Sequence, residues 1–126
     1  MIARYLFLTA AAAFFLSTLA QVFLAGMAIF ANPTHWSRHV SFVHIFEFLP
    51  LVMLITGWLG RVPKSLLWLS AGLFGLIYVQ YFNANFGHIS PVVAATHPVT
   101  AMLVVGMAYA TMIKAWKTVQ ILRSNP

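Results

Sequence analysis

The sequence predicts an all-α membrane protein, a four-transmembrane-helix up-down bundle with both termini cytoplasmic. Three observations lead to this fold class. Only 6% of the 126 residues are charged and 62% are hydrophobic, whereas about 25% of the residues in a soluble domain are charged. Four long apolar runs divide the chain, and nearly all basic residues fall at the same side of those runs. Lipid is therefore the predicted solvent for most of the surface.

The four runs are the predicted spans, at about residues 5–31, 34–60, 65–83 and 91–119 of one domain that covers residues 1–126. Each is close to the roughly 20 residues that a helix needs to cross a bilayer. Each is predicted as a helix, because backbone polar groups in lipid must find their partners within the segment. The first run exceeds the apolar core of roughly 7–15 residues in a secretory signal peptide, so we expect it to remain uncleaved.

Basic residues set the predicted orientation. With four spans, six of the seven lie on one side of the membrane and only Arg38 lies on the other. Cytoplasmic segments are enriched in Lys and Arg, so we expect a multi-pass protein of the cell's inner (plasma) membrane. Single basic residues at the ends of apolar runs are typical of membrane anchors and do not indicate a nucleic acid partner. The six inner-side residues are Arg4, Arg61, Lys64, Lys114, Lys117 and Arg123.

One short segment, HWSRHVSFVHIFEF (35–48), contains three of the five histidines and Glu47, the only acidic residue. At about 1.5 Å per residue from the predicted helix starts, His39 lies roughly 9 Å and His44 roughly 16 Å into the second helix. His97 lies roughly 9 Å into the fourth helix. All five histidines thus fall in the outer half of the membrane or beyond it. Ionisable residues inside a membrane are functional candidates by default.

Two histidines at one level on helices two and four can clamp a haem from both sides. These helices run inward from the same side and are diagonal neighbours in an up-down bundle, whose core is where such cofactors sit. His39 and His44 point about 140° apart, so the pattern leaves open which of them faces His97. We take His97, His44, His39 and Gln21 as candidates for binding haem b, with the three histidines as candidate metal ligands. The simpler alternative is that these histidines hydrogen-bond a neighbouring helix.

Glu47 needs a partner, because an isolated charge in lipid is strongly unfavourable. His44, three residues earlier, shares its helix face and is the partner that the spacing predicts. Two interpretations of the carboxyl group remain open. It is either protonated and hydrogen-bonded to Gln21, or it is a proton-linked group beside a redox cofactor.

Three segments carry a resemblance to a known family. LAQVFLAGMAIF (19–30), WSRHVSFVHIFEFLPLVMLI (36–55) and AATHPVTAMLVVG (94–106) are similar to a family of small four-span bacterial and archaeal membrane proteins, known mainly as a domain of unknown function. The resemblance covers nearly the whole chain and implies the fold and topology. The matching landmarks are Gln21 and Gly26 late in helix one, His39 opening helix two, and His97-Pro98 opening helix four.

The arrangement also resembles the histidine-ligated helix bundles of b-type cytochromes. Those bundles often hold two haems, through two histidines per helix, one near each side of the membrane. No histidine of this chain lies on the predicted inner side. The resemblance therefore implies at most one haem, near the outer face.

The leading functional prediction is a small membrane b-type cytochrome that transfers single electrons, with a quinone or a larger membrane complex as its partner beside the lipid bilayer. One alternative is a non-catalytic accessory or structural subunit of a larger membrane complex. Another is a proton or ion pathway through Glu47 and His44. No catalytic residue is predicted, so an electron carrier or accessory subunit is favoured over a free-standing enzyme. The absence of cysteine excludes thiolate metal sites and cysteine-bound iron–sulfur clusters.

Overall fold

The structure is a computed structural model that describes the backbone of residues 1–124 and the side chains of residues 1–121. It is all-helical over this range. Among these residues four helical segments are long and apolar enough to cross a membrane, which is the number that the sequence predicts, and the second of them consists of two consecutive shorter helices. The side chain of Arg123, counted above among the inner-side charges, lies outside the described residues. The helices are α1 (Ile2–Phe30), α2 (His35–Phe46), α3 (Leu49–Leu59), α4 (Lys64–Asn85) and α5 (Pro91–Ser124).

The second span is interrupted between α2 and α3, and the cause is Pro50. Proline has no amide proton, so it cannot donate to the carbonyl four residues earlier, that of Phe46. The amide of Glu47 closes the last turn of α2 by donating to the Val43 carbonyl, 2.9 Å away. Regular α-helical bonding resumes where the Val52 amide donates to the Phe48 carbonyl, 3.1 Å away. The only acidic residue therefore sits at a helix end in the middle of a span.

Packing brings α1 against α2, α3 and α5, while α4 lies against α3 and α5. Close approach is possible where α3 carries Gly57, because a Cβ built on this glycine would lie 2.9 Å from side-chain carbons of Phe7 and Leu67. One polar contact joins the helix ends nearby, where the Arg4 Nε donates to the Gly60 carbonyl, 2.7 Å away. The largest fully buried apolar side chains are Phe7, Phe14, Met53, Leu66 and Leu73.

The outer surface of the helices is largely apolar. Large exposed side chains run along each helix, for example Leu16, Ile55 and Leu103. Trp58 and Trp68 are exposed near helix ends, where tryptophan is typical of the membrane–water interface. An apolar exterior is what lipid-facing helices require, so the structure indicates a multi-pass membrane protein.

Candidate functional site

His39 of α2 and His97 of α5 lie side by side. Their ring centroids are 6.5 Å apart and the ring planes are inclined at 63°. Both side chains are partly buried. Each histidine lies within the first two turns of its helix, so the similar depths expected from the sequence bring the two rings together.

His39 is fixed by a reciprocal pair of hydrogen bonds to Gln21 of α1. The His39 Nδ1 lies 3.1 Å from the Gln21 backbone carbonyl, and the Gln21 Nε2 donates to the His39 carbonyl, 2.9 Å away. A carbonyl oxygen only accepts, so the proton of this imidazole is on Nδ1. The Nε2 of neutral His39 therefore carries a lone pair.

His97 is held in the same way by α4. Its Nδ1 lies 3.1 Å from the backbone carbonyl of Gln80. The side-chain amide of Gln80 is best satisfied with its oxygen accepting from the Ala101 amide, 2.8 Å away, and its nitrogen 2.8 Å from Thr100 Oγ1 and 3.0 Å from the His97 carbonyl. That nitrogen also lies 3.0 Å from His97 Nδ1, but the two acceptors use both amide protons. Nδ1 thus donates to the Gln80 carbonyl, and the Nε2 of His97 also keeps its lone pair.

Each of the two imidazoles has its Nδ1 hydrogen-bonded to a backbone carbonyl. A metal-ligating histidine almost always donates its other ring N–H to a carbonyl or carboxylate, which fixes the ring orientation and the tautomer. Among the described residues, neither Nε2 of His39 nor that of His97 has a hydrogen-bond partner. The Oε1 of Gln21, the residue bonded to His39, is buried and also lacks a partner within the described part of the chain.

The number of ligands discriminates between metal centres. No group of three or more histidine, cysteine or acidic side chains able to hold a metal ion occurs among the described residues. A structural or catalytic zinc ion needs three or four protein ligands, whereas a haem iron takes four nitrogens from the porphyrin and needs only axial ligands from the protein. With metal–nitrogen bonds of about 2 Å, two axial imidazoles have ring centres about 6 Å apart. The 6.5 Å between His39 and His97 fits that spacing.

His44 is part of a second cluster and not of the histidine pair. Its ring stacks on Tyr81 of α4, with centroids 5.9 Å apart and planes at 17°. The His44 Nδ1 lies 3.2 Å from Glu47 Oε1 and 3.2 Å from the Tyr81 hydroxyl. The Tyr81 hydroxyl donates to the other oxygen of Glu47. The structure therefore has the His44–Glu47 pair that the spacing predicts, and it resolves the open choice by bringing His39, not His44, beside His97.

Two functional candidates on α4 escape sequence reasoning, namely Gln80 and Tyr81. Gln80 binds His97 through its backbone carbonyl. Every residue type has such a carbonyl, so this contact cannot be predicted from the sequence. Tyr81 completes the Glu47 cluster. The available signal is the polar stretch Gln80, Tyr81 and Asn83 near the end of an otherwise apolar helix, because polar side chains at that depth need partners. The remaining histidines lie elsewhere: His35 contacts Arg38 at 3.3 Å, and His88 is exposed.

Comparison with known proteins places the chain in a family. The model of a family of unknown function, DUF6220, matches residues 21–87. The matched segment begins at Gln21 and includes His39, Glu47 and Tyr81, and it ends before His97. No curated protein and no solved structure matches the chain. Because the family model covers more than half of the residues, the chain belongs to the DUF6220 family.

Proposed function

We propose that the chain is a small membrane b-type cytochrome that holds one haem between His39 and His97 near the outer face and passes single electrons. The observation that carries the proposal is the pair of rings 6.5 Å apart, each with Nδ1 bonded to a backbone carbonyl. The haem would supply reversible one-electron exchange at its iron. The chain's residues would hold it, orient its ligands and exclude water.

The proposal explains a feature that plain helix packing leaves unexplained. Hydrogen bonds between helices need only the Nδ1 atoms of His39 and His97. Packing alone does not require two neighbouring histidines with unpartnered Nε2 atoms and a glutamine with an unpartnered buried Oε1, since unpaired polar groups in an apolar environment are unfavourable. A haem held by His39 and His97 would use both nitrogens, and the Oε1 of Gln21 would remain as an acceptor for a bound group.

The proposed orientation is an up-down bundle with both termini in the cytoplasm, in the inner membrane. It rests on the basic residues, of which six fall on one side, and on the contact between Arg4 at the start of α1 and Gly60 at the end of α3. The haem would then lie near the outer side. Its electron partner is a quinone or a larger membrane complex.

A proton or ion pathway through Glu47 and His44 is supported less well. The two side chains are hydrogen-bonded, but a pathway needs further polar groups toward the inner side. The buried hydroxyls of Ser70 and Thr111 on that side each donate to a carbonyl of their own helix, and other buried side chains there, such as Leu73, are apolar. The third prediction, a non-catalytic accessory subunit, gains no specific support from the geometry.

A visible spectrum of the protein purified in mild detergent tests the cytochrome proposal. We expect a Soret band that shifts on reduction and is lost in both His39→Ala and His97→Ala. His35→Ala and His88→Ala are matched controls and should keep it, and size-exclusion chromatography reports whether each variant is folded. A wild-type protein without the band after expression with added haem precursor would overturn the proposal. A band that persists in both ligand variants would do the same.

A further inference from the structure

The cluster of His44, Glu47 and Tyr81, here called the polar triad, lies on the outside of the bundle. The side chain of His44 is 57% exposed, while that of Glu47 is 17% exposed. Glu47 is twelve residues from either end of the span His35–Leu59, which is roughly 18 Å at 1.5 Å per residue. Tyr81 is only four residues from the end of α4, so the triad lies between the middle of the bundle and its outer end, on the side of the bundle that faces lipid in the proposed orientation.

This position is unusual for ionisable side chains. In membrane proteins they almost always face the bundle interior or a water-filled cavity. Here the exposed neighbours of His44 and Glu47 along the chain include the apolar Ile45 and Phe48, with Ser41 as the polar neighbour one turn earlier. Lipid tails offer no hydrogen bonds, and the Nε2 of His44 has no partner among the described residues. A ligand that diffuses in the lipid and carries its own hydrogen-bonding groups would supply a partner for this nitrogen.

We propose that the polar triad binds the headgroup of a membrane quinol and accepts its protons. The proposal rests on the proposed function, because the electrons go to the haem held by His39 and His97. A quinol is apolar enough to diffuse in the hydrocarbon, and its hydroxyl groups donate to the acceptors that the triad exposes. The parallel rings of His44 and Tyr81, inclined at 17°, form a flat aromatic surface beside those acceptors.

The triad has an acceptor for each of the two protons that oxidation of a quinol releases. Oxidation of a quinol to a quinone breaks two O–H bonds and releases two protons and two electrons. The protons pass in turn to the imidazole of His44 and the carboxylate of Glu47, which are hydrogen-bonded to each other. A haem held by His39 and His97 would take up the two electrons one at a time, and a one-electron oxidant outside this chain would be needed to carry them onward.

The two proposed sites are close enough to work together. His39 and His44 are five residues apart on α2, which is roughly 8 Å along the helix axis. They are nonetheless on different faces, since His39 faces Gln21 of α1 and His44 faces Tyr81 of α4. A quinol at the triad therefore need not displace the cofactor ligands.

Photolabelling with an azido-quinone in liposomes tests this site, and mass spectrometry locates the label. We expect labelled peptides from the α2–α3 break and from α4, and protection by a short-chain quinol. His44→Ala and Tyr81→Phe should raise the quinol concentration needed for protection about tenfold. Tyr109→Phe is the control: Tyr109 is exposed on α5, packs against Phe15 of α1 away from the triad, makes no hydrogen bond within the described residues, and should not change protection.

Labelling is measured with haem-free protein as well as with haem-loaded protein, so the result does not depend on the cytochrome proposal. Label elsewhere, or protection unchanged in His44→Ala and Tyr81→Phe, would overturn the quinol site even if the Soret band is present. Crosslinking of two chains through the triad would overturn it too, in favour of a second copy as the occupant. Specific labelling without any Soret band would keep the quinone site and reject the cytochrome.

Discussion

The imidazoles of His39 and His97 meet 6.5 Å apart, and each is anchored to a helix other than its own. His39 is bonded to Gln21 of α1 and His97 is bonded to Gln80 of α4. Helices α1, α2, α4 and α5 therefore converge on one pair of side chains. A group bound between these two rings would join four helices at once.

Haem should therefore stabilise the folded protein. A ligand that binds only the native state contributes RT ln(1 + [L]/Kd), about 2.7 kcal/mol at one hundred times Kd. We expect the melting temperature in detergent to rise by on the order of 10 °C when haem is added to haem-free protein. Differential scanning fluorimetry measures this shift.

The same titration with His97→Ala should leave the melting temperature unchanged, because this variant lacks one axial ligand. His88→Ala should behave like the wild type. Equal shifts in wild type and His97→Ala would mean that haem adsorbs to the apolar surface and does not bind between the rings.

A mutation in the polar triad should affect quinol binding without affecting the histidine pair His39–His97. Tyr81→Phe removes the hydroxyl that donates to Glu47 but leaves His39 and His97 untouched. We expect the reduced-minus-oxidised visible spectrum of Tyr81→Phe to match that of the wild type, while protection against labelling needs a higher quinol concentration than in the wild type. A changed Soret position in Tyr81→Phe would show that the clusters are coupled.

The number of spans and the depth of their polar residues can be predicted from the residue pattern alone. The rotation of each helix about its own axis cannot. Hydropathy predicts four spans, and counting from the helix starts predicts that His39 and His97 share a level. The choice between His39 and His44 depends on how α2 is turned about its axis. Its contact with Gln21 of α1 determines that turn, and no pattern within α2 encodes it. Tyr81 is unpredicted for the same reason, since it meets Glu47 only through the relative rotation of two helices.

Gln21 should contribute more to haem binding than to stability. Gln21→Leu removes one hydrogen bond to the His39 carbonyl and also removes the buried Oε1 that lacks a partner in the described structure. Hydrogen bonds between membrane helices average about 0.6 kcal/mol, so the two effects nearly cancel in the haem-free protein. The His39 Nδ1 keeps its bond because it goes to the backbone carbonyl of residue 21.

Unfolding of haem-free Gln21→Leu and wild type in SDS, followed by circular dichroism, should give free energies within about 1 kcal/mol of each other. Haem titration should show weaker binding by the variant if a bound group uses Oε1. Gln120→Leu is the control for a glutamine lost from an exposed position near the chain end. Unchanged haem affinity in Gln21→Leu would remove this residue from the cofactor site.

Some glycines lie where helices pack closely and others lie on the open surface. Among the closely packed ones, we expect Gly57 to be a position where an added side chain lowers stability. A Cβ there would lie 2.9 Å from carbons of both Phe7 and Leu67, closer than van der Waals contact permits. Phe7 is only 1% exposed and has little room to move. Overpacking of this kind typically costs about 1–3 kcal/mol, so Gly57→Ala should lower the free energy of unfolding by that amount.

Gly106→Ala is the matched control, because a Cβ at this exposed helical glycine meets nothing within 4 Å. Alanine restricts the unfolded chain more than glycine does, so this variant should gain roughly 0.4–1 kcal/mol. The same substitution is thus expected to change stability in opposite directions at the two sites, as measured by SDS unfolding. Equal effects would mean that α1, α3 and α4 do not approach one another at Gly57 as closely as described.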